Sequence, residues 1–207
     1  MIDILLLPKN FTDGKLNAAT LKAANDIIKR YGDVSISVLP NNVDEIGVTF
    51  LDKECTLGSI SSFAPNTYPE VTALEVAMAI ENGADFVEIP FDVEKYHANP
   101  DQTLSFIKFV AEEIGDDAEL WVELESNNFE DFDSYRAAIS SVAEAGVDGV
   151  VLNSSATDLN NIAHFKKCIV EYGNPSNRLK FKILTNNTPH IQDIISYAKH
   201  IIPRIIL

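Results

Sequence analysis

Two stretches of this sequence share one form. Ala79-Ile80-Glu81-Asn82-Gly83-Ala84-Asp85-Phe86-Val87-Glu88-Ile89 is matched by Ala143-Glu144-Ala145-Gly146-Val147-Asp148-Gly149-Val150-Val151-Leu152-Asn153. In each, a helical run meets a glycine, a small residue and an aspartate follow, and an apolar strand begins. Glycine stops a helix because it alone takes a positive φ at little cost. A strand starting so soon afterwards marks the helix-to-strand junction of a βα-repeat protein. Folds of this kind gather their chemistry at the C-terminal ends of the strands, so residues near Glu88 and Val151 should decide function.

The same alternation runs through the rest of the chain. Residues 2–7 read as a buried strand closed by Pro8. A helix follows over 17–31, with Leu21, Ala24, Ile27 and Ile28 at helical spacing, and Gly32 stops it. Strands are expected at 34–39, 57–63, 86–89, 119–124, 149–153, 178–184 and 202–207. Between them lie a weak helix at 43–51 and clear ones at 72–82, 103–114, 132–145, 158–172 and 188–200. Thr188 and Pro189 open the last of these in the cap and first helical positions. Leu74, Met78 and Ala77 are expected to face the core from helix 72–82, and Leu104, Ile107, Phe109 and Val110 from helix 103–114.

Eight strands alternating with seven helical segments predict an α/β fold, a compact (β/α)8 TIM barrel in one domain over residues 1–207 that lacks the final helix. The competing architecture is an open doubly wound sheet, but no Gly-x-Gly-x-x-Gly follows the first strand. With no helix after strand eight, Ile205, Ile206 and Leu207 would need cover from a partner subunit, the N-terminus or a neighbouring helix. A homo-oligomer is one expectation that follows.

Charge narrows the partners. A formal net charge of −15 over 207 residues argues against nucleic acid and against docking to an anionic membrane surface. No apolar run approaches the ~20 residues of a membrane span, and Met1-Ile2-Asp3 lacks the basic start of a signal peptide. Cys55 and Cys168 are isolated thiols, which suits a reducing cytoplasm. His97, His164, His190 and His200 are scattered, so no metal and no organic cofactor are expected.

Several landmarks then fall in a recognisable order. They are Asp3 with Leu5-Leu6, Ser37-Val38-Leu39-Pro40, Ser61-Ser62-Phe63-Ala64-Pro65, residues 77–88, Trp121 to Glu125, residues 145–151, and Phe181-Lys182. This order resembles the deoxyribose-phosphate aldolase family, and the likeness is sharpest at 75–90 and 140–151. The resemblance implies a class I aldolase barrel that cleaves 2-deoxyribose 5-phosphate through a Schiff base. That chemistry needs a lysine of depressed pKa, an acid/base carboxylate and backbone amides for the phosphate.

Carried over residue by residue, the resemblance places the Schiff-base lysine at Val151, which cannot form an imine. The family's second lysine matches Lys182, its strand-four aspartate matches Glu88, and its strand-five lysine falls at Trp121. Asp3 and Glu125 match carboxylates of strands one and five. The glycine-rich phosphate loop is replaced by Leu184-Thr185-Asn186-Asn187-Thr188, and the strand-eight Gly-Ser phosphate site is missing.

Two readings follow. In one, the chain is a divergent relative without aldolase activity, a pseudoenzyme with a binding or structural role. In the other, it is a lyase on a small sugar phosphate or aldehyde, with Lys182 forming the imine and Glu88 as acid/base. Lys182 could have its pKa lowered by burial and by Lys180, or could instead be paired with Glu88 or Glu125. Asp3, Glu125, Asn153, Ser154 and Asn186 are the candidate contacts to a small polar or sugar-phosphate ligand. Glu123 is a lesser candidate, Asp92 reads as a loop cap, and Trp121 reads as barrel packing or as a plug in the sugar-phosphate cavity.

Overall fold

A computed structural model describes residues 1–8, 14–51, 55–61, 68–153, 167–168, 171, 179–184 and 201–207. Eight parallel strands close into a barrel in chain order: β1 Ile2–Leu5, β2 Val34–Val38, β3 Cys55–Ile60, β4 Phe86–Pro90, β5 Glu119–Glu125, β6 Gly149–Asn153, β7 Lys180–Leu184 and β8 Ile201–Ile206. β8 returns to β1 with Asp3 opposite Arg204, which closes the ring. Six α-helices stand among the described residues: α1 Ala18–Tyr31, α2 Val43–Thr49, α3 Pro69–Glu81, α4 Val93–Ala98, α5 Pro100–Ile114 and α6 Phe132–Glu144. The helices expected at 158–172 and 188–200 lie largely or wholly outside the described residues.

The repeated junction does more than end a helix. Gly83 and Gly146 take φ values of 95° and 92°. The aspartate two residues on then reaches back to the preceding strand. Asp85 accepts from the Leu57 amide at 2.8 Å, and Asp148 accepts from the Leu120 amide at 2.9 Å. Each carboxylate therefore fixes where two neighbouring strands begin relative to one another, which sets their register at the N-terminal rim.

Alternation along the strands splits the buried residues into two layers. Ile4, Ile36, Val87, Ile89, Val122, Leu124, Val150, Leu152 and Phe181 point outward and join one large core with α1, α2, α3, α5 and α6. The inward positions are different in kind, because polar and charged side chains are buried there beside Phe86, Trp121, Val151 and Ile202. Leu152 thus packs on the helix side and does not reach the barrel mouth.

Two expectations about helix faces fail. In α3 the buried residues are Thr72, Val76 and Ala79, while Leu74 and Met78 are exposed. Apolar residues lie on every side of this helix, so their spacing could not select the face. Phe109 of α5 is likewise exposed, with Thr103, Ile107, Val110 and Ile114 turned inward. α4 is a short helix that the sequence pattern does not predict; its cap is Asp92, which accepts from the Lys95 amide at 3.0 Å.

The apolar end of β8 is covered from within. Ile205 packs against Ile2, with Ile27 and Tyr31 of α1 and Leu207 beside them. A neighbouring helix therefore supplies the cover for which a partner subunit was considered, although Ile206 remains 40% exposed.

Candidate functional site

The barrel's centre is held by one residue that sequence reasoning missed. Arg204, in the middle of β8, is buried and crosses the interior. Its Nε donates to Asp3 Oδ2, and its two terminal nitrogens donate to the two oxygens of Glu88 at 2.6 and 2.5 Å. Ser37 Oγ accepts from the same guanidinium at 3.1 Å. Ser35 and Ser37 donate to Asp3 Oδ1 at 2.6 and 3.0 Å. β8 is thereby tied to β1, β2 and β4 through one planar fork, the geometry for which arginine is suited and lysine is not.

Lys182 lies beside this network. Its Nζ is 3.7 Å from Asp3 Oδ1, an ion pair too long for a hydrogen bond, and it has no hydrogen-bond acceptor. The ammonium instead rests 3.5 Å from the Phe86 ring centroid and 4.4 Å from that of Trp121. It is 1% exposed. Burial pushes its pKa down to about 8, with Asp3 opposing the shift and Arg204 adding to it. Period-two spacing along the strand predicts that second role for Lys180. Lys180 is on the exposed rim, paired with Glu119, and takes no part. Nor does Lys182 pair with Glu88 or Glu125 in an ion pair within contact distance; Asp3 is its carboxylate, and Glu88 is taken by Arg204.

Val151 is wholly buried and forms an apolar cluster with Phe86, Trp121 and Ile202. Two glycines make this cluster possible. A Cβ on Gly149 would stand 2.4 Å from the Trp121 ring, and one on Gly58 would stand 2.0 Å from the Phe86 ring. Each glycine is the cross-strand partner of the aromatic residue it admits. Trp121 is thus packed inside the barrel, its indole N–H donating to Glu119 at 3.1 Å. Its cross-strand partner Gly149 opens β6, so the ring fills the N-terminal half of the interior and not the mouth.

Nearer the C-terminal ends, Asn153 donates to Glu123 Oε1 at 2.6 Å. Two cations and two carboxylates balance within the core, which leaves Glu123 as the carboxylate in excess. Burial, then the nearby Glu88, raise its pKa to about 7, against the pull of Arg204 and the Asn153 bond. Asp3 behaves oppositely. Burial would raise it, but Arg204, Lys182 and the Ser35 hydroxyl together hold it below its ordinary value. Arg204 is held charged by Asp3 and Glu88, which outweigh its burial.

Of the candidate residues, the structure brings Asp3, Glu88 and Lys182 together around Arg204, and places Asn153 above them on Glu123. Glu125 stands half-buried at the end of β5 and accepts from Asn128 at 3.4 Å, apart from the network. Ser154 and Asn186 lie outside the described residues. Among the described residues, no group of three His, Cys, Asp or Glu side chains could hold a metal ion, and no helix is long and apolar enough to cross a membrane.

The fold and this interior define a closed, eight-stranded parallel (β/α)8 barrel with a charged core. Solved deoxyribose-phosphate aldolases share this fold. A candidate deoxyribose-phosphate aldolase from Toxoplasma gondii superposes with a TM-score of 0.75 at 17% identity, covering 98% of this chain and 86% of the other. The tetrameric deoxyribose phosphate aldolase from Aeropyrum pernix gives a TM-score of 0.66 at 15% identity, over 88% and 74% of the two chains. Triosephosphate isomerase from Bartonella henselae gives 0.63 at 10% identity, over 99% and 91%. At such identities the likeness concerns the fold, which many chemistries share. No protein-family model and no curated protein matches the sequence.

Proposed function

We propose that this chain, as a single barrel domain, is an aldolase-type barrel whose interior has been converted from a reaction chamber into a structural core. In this reading it has no aldol-cleaving activity and serves in binding or as a structural protein. One observation carries the reading: Arg204 occupies both oxygens of Glu88 and ties Glu88 to Asp3. With both oxygens in the guanidinium fork, Glu88 is committed to the core network, and any contact with a substrate would have to compete with that pairing.

Two further features agree. Val151, where the resemblance expects the imine-forming lysine, is sealed in an apolar cluster. The mouth, as far as it is described, offers the carboxylates of Glu123 and Glu125, which would repel a phosphate. A ligand bound there through Glu123, Glu125 and Asn153 would be a small neutral or cationic polar molecule.

One observation favours the alternative lyase reading. An amine with a pKa near 8 is neutral in about one molecule in ten at pH 7, enough to attack a carbonyl. Against it, Lys182 Nζ is enclosed between two aromatic rings and the ion network. The readings are separated by incubating the protein with 2-deoxyribose 5-phosphate and measuring acetaldehyde. No release above that of a Lys182→Met variant is expected. Release that Lys182→Met abolishes would establish the lyase.

A further inference from the structure

The outer face of α3 is unlike the outer face of a solvent-exposed helix. Val71, Leu74 and Met78 are 42%, 61% and 51% exposed, and Tyr68, which caps the helix, is 76% exposed. At about 100° per residue, positions 71, 74 and 78 form one line along the helix, opposite the buried Thr72, Val76 and Ala79. Glu70 and Glu81 border this line on one side and Glu75 on the other. The helix carries no basic residue. α5 packs beside it and adds exposed Asp101, Glu112 and Glu113 against the single Lys108. Apolar side chains left in water along one line, rimmed by charge of one sign, have the form of an interaction site.

The charge decides the occupant. A second copy of the chain would meet this face through the same patch, bringing Glu70 and Glu81 against their own counterparts in a molecule of net charge −15. We infer that the α3 face docks an amphipathic segment of another protein that presents an apolar line flanked by Lys or Arg. Its apolar residues would cover Val71, Leu74 and Met78, and its cations would meet Glu70 and Glu81. Four exposed side chains make a small patch, so the contact belongs to the weak, transient class.

The test titrates the full chain with a synthetic amphipathic helix of Leu and Lys, and with its Leu/Glu counterpart of equal length. The Leu/Lys peptide is expected to bind, more weakly at high salt, and the Leu/Glu peptide is not. A Leu74→Glu/Met78→Glu variant should lose at least about tenfold in affinity. Leu74→Ser/Met78→Ser should lose affinity without any change in charge. Attraction by charge alone would be strengthened by the two added glutamates, so unchanged or tighter binding to that variant overturns the proposal. Absence of binding by the Leu/Lys peptide overturns it too. So does a concentration-dependent dimer in light scattering that the variants dissolve, since the occupant is then a second copy.

Discussion

Removing the guanidinium of Arg204 should be the most damaging single change in the barrel interior. In Arg204→Met, the flexible methionine fills much of the volume but leaves Asp3 with only Lys182 at 3.7 Å and Glu88 with no cation. Breaking a buried ion pair from one side costs about 3–5 kcal/mol, because a charge is left without compensation. That is a large share of the ~5–15 kcal/mol that holds a domain together. For a chain of this size it corresponds to a fall of about 6–20 °C in Tm. Urea unfolding with linear extrapolation gives the loss directly. A double-mutant cycle isolates its origin. Glu88→Gln added to Arg204→Met removes the orphaned charge, so the pair should lose about 1–3 kcal/mol less than the sum of the single variants. If Arg204→Met costs under about 1 kcal/mol, or if the two losses simply add, the ion network does not hold the core.

The remaining predictions concern the interior and its rim. Glu123 is protonated more readily in the folded chain, near pH 7, than in the unfolded one, near 4.5. The folded state therefore binds more protons between these values, and stability from this group falls as pH rises from about 4.5 to 7. Glu123→Gln keeps an acceptor for Asn153 and should raise stability at pH 8 by about 2–3 kcal/mol, with little effect at pH 4.5. Thermal melts at the two pH values check this, and equal effects at both would contradict it. Gly149→Ala should destabilise by at least about 1–3 kcal/mol through the Trp121 clash. Trp121→Leu in the same chain should recover part of that loss in urea unfolding, whereas a further full loss would show the glycine serves another purpose.

How far the sequence disclosed this structure depends on which property of a residue was needed. The strands and their order were legible because β-branched runs recur between glycine-stopped helices, and the Gly-x-Asp junction carries that signal at Asp85 and Asp148. The face of α3 was not legible, since Val71, Leu74, Val76, Met78 and Ala79 satisfy several helical stripes at once and only the neighbouring β-layer selects among them. Asp3, Glu88 and Lys182 were legible only through the resemblance to the aldolase family, which matches each of them to a charged position on its strand. Arg204 was passed over in an apolar final strand, although a lone arginine between Ile202 and Ile205 is itself a signal. A buried cation must find carboxylates, and inward-facing Asp3 and Glu88 lie within reach once the barrel closes. Closure of β8 on β1 is a long-range fact, and local pattern does not contain it.

The central claim is that Lys182, the amine buried inside this barrel, is closed to a carbonyl substrate. Incubation with 2-deoxyribose 5-phosphate and sodium borohydride, followed by intact-mass and peptide mass analysis, tests it most directly. Imine formation would be fixed as a stable adduct on the lysine that formed it. No adduct on Lys182 is expected, and its peptide should be recovered at the native mass. An adduct mapped to Lys182 would contradict it and make the barrel a working lyase.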